Sequence, residues 1–271
     1  DFGLYRLNKQ TTGFETAAVQ KSVSVLPTQT YYTFTCGPVE LDLVFTAPLM
    51  MDDLDLLSTP VNYISYRVRS LDKKQHDVQM YVETTPQLAI NELTQPTRSK
   101  VIRNGINYVQ AGTIDQPILG RKGDGICIDW GYAYLAGNIG ANTAVSLGNY
   151  YGMKNEFATK GTLLPTQAEC VTRRADQMPA MAYTDNLGKV GADVPEADPS
   201  QFKFPHQIHL GLNAAGVLEP DLMPASGAVP VVEVGGLGGF IKEDLGVVLH
   251  SDVDGAHIGN HGGGRVGVDN P

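Results

Sequence analysis

The strongest constraint on the fold is an alternation of apolar and polar residues that recurs three times between residues 39 and 83. The stretches are residues 39–46, 61–70 and 77–83, and their apolar positions are Val39, Leu41, Leu43, Phe45, Ile64, Tyr66, Val68, Val78, Met80 and Val82. A period of two is typical of β-strands that bury one face. A short polar segment joins the last two stretches, so we predict an antiparallel hairpin over residues 61–83.

The opposite parity of the hairpin carries polar side chains, which we expect to point toward solvent or a partner. These side chains are Ser65, Arg67, Arg69, Gln79, Tyr81 and Glu83. A second layer must cover the apolar face, because a sheet with one buried face is stable only against another element.

Residues 47–60 mix leucines and methionines with Asp52, Asp53 and Asp55. We predict one helical turn over residues 54–57, capped by Asp52 and Asp53, with its leucines folded over the sheet edge. A calcium site is the alternative interpretation, since calcium prefers carboxylate oxygens. Three carboxylates fall short of the six to eight oxygens that calcium takes, so we favour the structural role and expect no metal.

Three longer segments resemble one known family. They are LDLVFTAPLMMDDLDLLSTPVNYISYRVRS (41–70), QPILGRKGDGICIDWGYAYLA (116–136) and MPAMAYTDNLGKVG (178–191). They resemble the β-rich domain that precedes the helical domain in the glutaminase A family of secreted hydrolases, over about residues 22–191. Long, ordered matches are more specific than a short motif.

The resemblance implies that residues 1–191 form an antiparallel β-sandwich of the supersandwich type, from an enzyme that hydrolyses the side-chain amide of glutamine. It also implies a secreted, periplasmic or cell-surface location, although no signal peptide is visible in the chain itself. The catalytic centre of such two-domain hydrolases is expected in or beside the helical domain. We therefore assign no catalytic residue to this chain.

Residues 126–136 are predicted to form a strand in which five large side chains share one parity. These are Ile126, Ile128, Trp130, Tyr132 and Tyr134. We favour packing between the sheets, because exposure of all five would create an unusually large apolar patch. A platform that binds sugars is the alternative.

Composition excludes several classes of function. The net charge is -9 and basic residues never form a run longer than a pair, which argues against nucleic-acid binding. No apolar run approaches the ~20 residues of a membrane helix. The three cysteines have no zinc-binding spacing, and we expect Cys36 and Cys127 to be buried free thiols. No cofactor is expected.

The remaining chain favours an all-β fold. Asn104-Gly105 suggests a tight turn between two strands, residues 138–162 suggest polar turns, and residues 165–174 suggest a short helix. Residues 192–271 form a tail rich in Gly, Pro and Ala, in which we expect weak order and no independent domain. Its histidines, His206, His209, His250, His257 and His261, lack the geometry of a zinc site and are interpreted as incidental.

We therefore expect a non-catalytic β-sandwich portion of a glutaminase A-like amide hydrolase, inactive by itself, that packs on a helical domain of the same parent chain and shapes its cleft. The side chains expected to face that domain are Asp52, Asp53, Asp55, Arg67, Arg69, Tyr81 and Glu83. The alternative is a carbohydrate-binding or cell-surface β-sandwich module. Exposure of Trp130, Tyr132 and Tyr134 would favour that alternative.

Overall fold

The computed structural model describes residues 2–6, 16–104, 106–124, 126–137, 140–164, 166, 170–192, 206–213 and 246–252. The strands are β1 (Phe2–Arg6), β2 (Thr16–Ala17), β3 (Val19–Val25), β4 (Gln29–Cys36), β5 (Val39–Thr46), β6 (Val61–Ser70), β7 (His76–Thr84), β8 (Pro96–Asn104), β9 (Ile106–Thr113), β10 (Tyr132–Gly137), β11 (Thr143–Asn149), β12 (Cys170–Arg174), β13 (Pro179–Val190), β14 (His206–Asn213) and β15 (Gly246–Asp252). The α-helices are α1 (Leu54–Ser58) and α2 (Tyr150–Lys160), with 3-10 turns at Pro86–Ala89 and Ala175–Gln177.

The described strands form two sheets. One has nine strands in the order β12-β8-β9-β10-β14-β6-β5-β4-β3, and the other has six in the order β11-β13-β7-β15-β1-β2. Every pairing is antiparallel except that of β1 with β2. Side chains from both sheets share one apolar core, so the prediction of an all-β antiparallel sandwich is confirmed.

The predicted faces of β5, β6 and β7 are confirmed. The alternating apolar residues of the three strands lie in or against the core between the sheets, whereas Glu40 and Asp42 lie on the opposite face of β5. The predicted hairpin is wrong. Strand β6 pairs with β5 and β14, while β7 belongs to the other sheet and pairs with β13 and β15. Residues 71–75 carry the chain across the core, because periodicity fixes the buried face of a strand but not its partner.

The prediction for residues 126–136 is wrong in two respects. The strand begins at Tyr132, and residues 126–129 have no regular structure. Within β10, Ala133 and Leu135 face the core between the sheets, while Tyr134 packs with Tyr63 and Val61 on the outer face. Gly131 has φ 85°, a left-handed conformation that interrupts an extended strand.

Helix α2 lies where polar turns were predicted. Its ends have clear local causes: the side chain of Asn149 accepts hydrogen bonds from the amides of Tyr151 and Gly152, and Gly161 ends the helix at φ 68°. The sequence of α2 shows no clear helical periodicity of apolar residues. Only two of its apolar side chains, Met153 and Phe157, are buried against the sheet.

Three other predictions have mixed outcomes. Strands β8 and β9 pair with Asn104 opposite Ile106, which confirms that hairpin. Residues 170–174 form a strand on β8 and not a helix, and the rest of that predicted helix lies almost entirely outside the described residues. Two segments of the tail, β14 and β15, pair inside the two sheets, while the other tail residues lie outside the described part.

Candidate functional site

Several loops leave the sandwich at one end. Antiparallel pairing sets Thr46 opposite Tyr63, Val61 opposite Gly211 and Asn213 opposite Tyr132, so loops 47–60 and 114–131 leave the same end of the nine-stranded sheet. Loop 85–95 joins them, because the side-chain amide of Gln95 donates to Asp129 at 2.8 Å. We call this region, residues 26–28, 47–60, 85–95 and 114–131 with the first turn of α2, the loop end.

The loop end concentrates exposed apolar side chains. Of the sixteen large apolar side chains that are exposed in the described part of the chain, eleven lie there: Leu26, Met51, Leu54, Leu57, Leu93, Ile114, Ile118, Leu119, Ile126, Ile128 and Tyr151. The other five are Val19, Val23 and Val25 on the edge strand β3, with Leu71 and Leu164 elsewhere. Apolar side chains gathered on one surface mark sites of protein or ligand contact, whereas scattered ones need no explanation.

A network of polar contacts holds loop 114–131 in shape. The Asp129 carboxylate is 1% exposed and accepts hydrogen bonds from Gln95 and from Nε of Arg121, at 2.8 and 3.0 Å. Arg121 also donates to Glu92 at 2.9 Å, and the hydroxyl of Thr113 donates to the carbonyl of Asp129 at 2.6 Å. These contacts tie the two flanks of the loop to each other and to loop 85–95.

The tip of the same loop adopts an uncommon backbone conformation. Gln116 has φ 44° and Leu119 has φ 51°, both in the left-handed region that disfavours residues with a Cβ. The Gln116 side chain secures its position by accepting from the amide of Gly131 at 2.6 Å and donating to the carbonyl of that residue at 3.1 Å. Non-glycine residues held in this region tend to occur at functional sites.

The loop with the three predicted aspartates also belongs to the loop end. Helix α1 forms as expected, and Asp53 caps it by accepting from the amide of Leu56 at 2.9 Å. Asp52 and Asp55 are exposed. The expectation that the leucines of α1 fold over the sheet edge is wrong for Leu54, which is 71% exposed. Leu54 and Leu57 lie three positions apart on one face of α1, and this face is turned to solvent, since Leu57 is exposed as well.

Arg67 and Arg69 lie elsewhere, on the outer face of the nine-stranded sheet. Arg67 pairs with Asp42, and Arg69 donates from Nε to Glu40 at 2.6 Å. Both arginines lie on the predicted outer face, but Arg67 is only 7% exposed, so the expectation that its side chain points to solvent or a partner is wrong. Each arginine lies directly opposite its carboxylate on the neighbouring strand, and that cross-strand contact holds it against the sheet.

Tyr81 and Glu83 are buried beneath α2, so the expectation that they point outward to solvent or a partner is wrong. Their parity is as predicted, opposite to the core between the sheets, but α2 covers that face. The Tyr81 hydroxyl donates to Glu83 at 2.6 Å, and Nζ of Lys154 lies 2.8 Å from Glu83 and 2.6 Å from the hydroxyl of Tyr150. Burial alone would lower the pKa of Lys154, but the charge and hydrogen bonds of its partners outweigh burial and raise that pKa.

A third buried polar group lies between the sheets. The hydroxyl of Tyr66 donates to Asp185 at 2.7 Å, and burial raises the pKa of Tyr66 well above its ordinary value, with Tyr183 and Asp185 adding to the shift. The carboxylates in these clusters are therefore engaged by neighbouring side chains rather than directed at a cleft. Such contacts stabilise the sandwich.

In the described part of the chain, no group of three or more His, Cys, Asp or Glu side chains converges as a metal site would require. The side chains of the tail histidines lie outside the described part. Cys36 is buried as expected, but Cys127 is exposed because residues 126–129 are not in a strand. No described helix has the length and apolar character needed to span a membrane.

The prominent residues of the loop end were missed by sequence analysis. Ile118 and Leu119 lie in the stretch QPILG, an apolar pair set between a proline and a glycine. That setting indicates a turn with an exposed apolar tip, and it is the signal that could have identified them. The pairing of Lys154 with Glu83 has no such signal, since 71 positions separate the two residues.

Comparison with known proteins gives one family and one curated relative. The family described as a domain of unknown function, DUF5127, matches residues 28–198, which is more than half of the chain. Glutaminase A of Aspergillus oryzae (strain ATCC 42149 / RIB 40) is 24% identical over 174 residues, which cover 63% of this chain and 25% of that protein. The chain thus spans about a quarter of the length of this relative. The resemblance drawn from the sequence is confirmed.

Proposed function

This chain belongs to the DUF5127 family, and we propose that it is the β-sandwich portion of an exported glutaminase A-like amide hydrolase. In this proposal the loop end packs on a helical domain of the same polypeptide and forms one wall of its cleft. The parent enzyme would release ammonia from L-glutamine or a related small amide, and this chain would be inactive alone. Asp52, Asp53 and Asp55 are then the predicted residues best placed to face the helical domain.

The observation that carries the proposal is the concentration of exposed apolar side chains at the loop end. A surface that contacts only water is not expected to concentrate eleven of the sixteen exposed apolar side chains of the described residues in the loops at one end. The relative offers a suitable partner, because three quarters of Glutaminase A lies outside the matched part. Contacts between domains of one chain commonly bury surfaces of this kind.

The ion pairs of the buried carboxylates support the proposal that the catalytic residues lie outside this chain. Amide hydrolysis needs a nucleophile, or a water activated by a base or a metal, that can reach the substrate. Glu40, Asp42, Glu83 and Asp129 each accept a charge-assisted contact from a lysine or arginine. Each of these carboxylates therefore already has a cationic partner within the chain.

The test is ammonia release from L-glutamine by the 271-residue chain and by the full-length gene product that contains it. We expect activity only in the full-length product. Activity of the 271-residue chain alone would contradict the proposal, and so would a gene that encodes no further domain. Titration of both proteins with free glutamine, a peptide amide and a glycan would separate the possible substrates of the parent.

The alternative of a carbohydrate-binding module loses its main support. It required that Trp130, Tyr132 and Tyr134 form an exposed platform, but Tyr134 is 1% exposed and the other two are half-buried. The ring of Tyr134 packs against Tyr108 and Tyr132, with ring centroids 5.9 and 6.4 Å apart. A sugar ring needs an open aromatic face, which Tyr134 does not offer.

A further inference from the structure

We propose that Ile118 and Leu119 form the anchor by which the loop end docks into an apolar groove between helices of the neighbouring domain. This inference rests on the proposed function, since its partner is the helical part of the same glutaminase A-like polypeptide. It names the residues on which that contact depends and the chemistry of the surface that receives them.

Exposure and adjacency together distinguish this pair, since Met51 and Leu54 of the same loop end are comparably exposed, at 90% and 71%, but lie three positions apart. Ile118 is 70% exposed and Leu119 is 75% exposed, so two adjacent branched side chains stand in water at the tip of one loop. Burial of such side chains in a groove that excludes water stabilises a contact in proportion to the apolar area that is covered. Ile126 and Ile128, on the returning flank of the same loop, are 37% and 56% exposed.

The backbone of the tip is held in place before any partner arrives. Leu119 occupies the left-handed region, and the contacts of Gln116 with Gly131 and of Arg121 with Asp129 hold the flanks on either side. A loop fixed in its bound shape loses little conformational freedom on association, and this is how preorganisation strengthens binding. A strained, braced and apolar tip is poorly explained by a role within this chain.

The occupant follows from the comparison and from the chemistry of the tip. Three quarters of the relative lies outside the part that this chain matches, so a larger body is available to cover the loop end. The two anchor side chains carry no charge and lie between Pro117 and Gly120. They fit an apolar groove, the surface that packed helices offer between their ridges.

Cys127 provides a probe on the returning flank of the same loop. It is exposed between Ile126 and Ile128, and its backbone amide donates to Asn91 at 2.9 Å. Cys36 does not compete for a thiol reagent, because it is buried and burial raises the pKa of its thiol to about 12. Replacement of Cys170 by Ser removes the third thiol of these 271 residues, and labelling is measured by mass spectrometry on the tryptic peptide that contains Cys127.

The experiment compares the rate of maleimide labelling of Cys127 in the 271-residue chain and in the full-length gene product, both with Cys170→Ser. We expect labelling in the full-length product to be slower by at least about tenfold, because the thiol is reached only when the contact opens. Ile118→Ser with Leu119→Ser should return the rate to that of the 271-residue chain. Leu71→Ser, an exposed leucine outside the loop end, is the matched control and should not.

A second control places the thiol elsewhere. Leu164→Cys with Cys127→Ser puts a cysteine at a position that is 73% exposed outside the loop end, and its labelling should be equal in both proteins.

Equal labelling of Cys127 in both proteins would overturn the docking, whether or not ammonia is released. Protection of Cys127 without glutaminase activity would support docking and overturn the proposed activity. Protection that survives both serine substitutions would overturn the role of Ile118 and Leu119.

Discussion

The Nζ atom of Lys154 on α2 lies 2.8 Å from Oε1 of Glu83 on β7, and their side chains are only 7% and 0% exposed. This ion pair joins the helix to the outer face of the six-stranded sheet, where Tyr81, Met153 and Phe157 complete the contact. A buried pair of this kind adds little net stability over an apolar pair, but the loss of one partner leaves a charge without compensation.

Lys154→Met should therefore destabilise the chain by about 3–5 kcal/mol, since Glu83 would stay buried without its cation. Urea denaturation followed by circular dichroism measures this change. Lys160→Met in the same helix is the matched control, because Lys160 is 56% exposed and pairs with Glu156 four residues earlier. That change should cost at most about 0.5 kcal/mol. Equal effects of the two substitutions would contradict the role assigned to the buried pair.

Acid should weaken the fold through Glu40. Burial raises the pKa of Glu40, but hydrogen bonds and charges from Lys21 and Arg69 outweigh burial, so the pKa lies below its ordinary value of 4.5. A carboxyl group with a lowered folded-state pKa stabilises the fold above its unfolded pKa, and this contribution is lost as pH falls through the folded value. Glu40→Gln should be less stable than the native chain at pH 7, and the difference should shrink below about pH 4.5. Urea midpoints between pH 3 and 7 test this, and a difference that stays constant with pH would contradict it.

Gly137 provides a test of packing between the sheets. A Cβ at this position would lie 2.0 Å from Cε2 of Tyr183. Gly137→Ala should destabilise the chain by about 1–3 kcal/mol, the usual cost of overpacking. Gly140→Ala is the control, since its Cβ would meet no atom closer than 3.7 Å. Tyr183→Leu should relieve part of the Gly137→Ala defect, and additive effects in the double variant would show that the two residues do not contact each other.

Leu119→Asn is expected to increase the stability of the chain and to weaken docking. Its φ of 51° costs roughly 1–2 kcal/mol for a residue such as leucine, whereas asparagine tolerates this region. Leu119→Asn should therefore raise the thermal midpoint of the 271-residue chain and also remove the protection of Cys127 in the full-length product. Ile118→Asn should weaken docking without the gain in stability. A lower midpoint for Leu119→Asn would contradict the proposed backbone strain.

The candidate site was only partly predictable. The residues of loop 47–60 were recognised because aspartates next to leucines give a local cap signal, and Asp53 does cap α1. Tyr81 and Glu83 were assigned to the correct face of β7, but that face was expected to be open to solvent or a partner. The residues near them in the sequence do not indicate that α2 covers it. The exposure of Ile118 and Leu119 and the polar contacts that hold their loop depend on the tertiary structure, so neither could be predicted from the sequence.

What the sequence determined by itself is local. The period of two in β5, β6 and β7 identified which side chains enter the core, because successive residues of a strand point to opposite faces. The tertiary structure decided everything that depends on distant partners. It separated β6 and β7 into two sheets, placed Tyr134 on the outer face and set Lys154 beside Glu83. Strand pairing and burial arise from contacts between residues far apart in the chain, and a local pattern is compatible with many such arrangements.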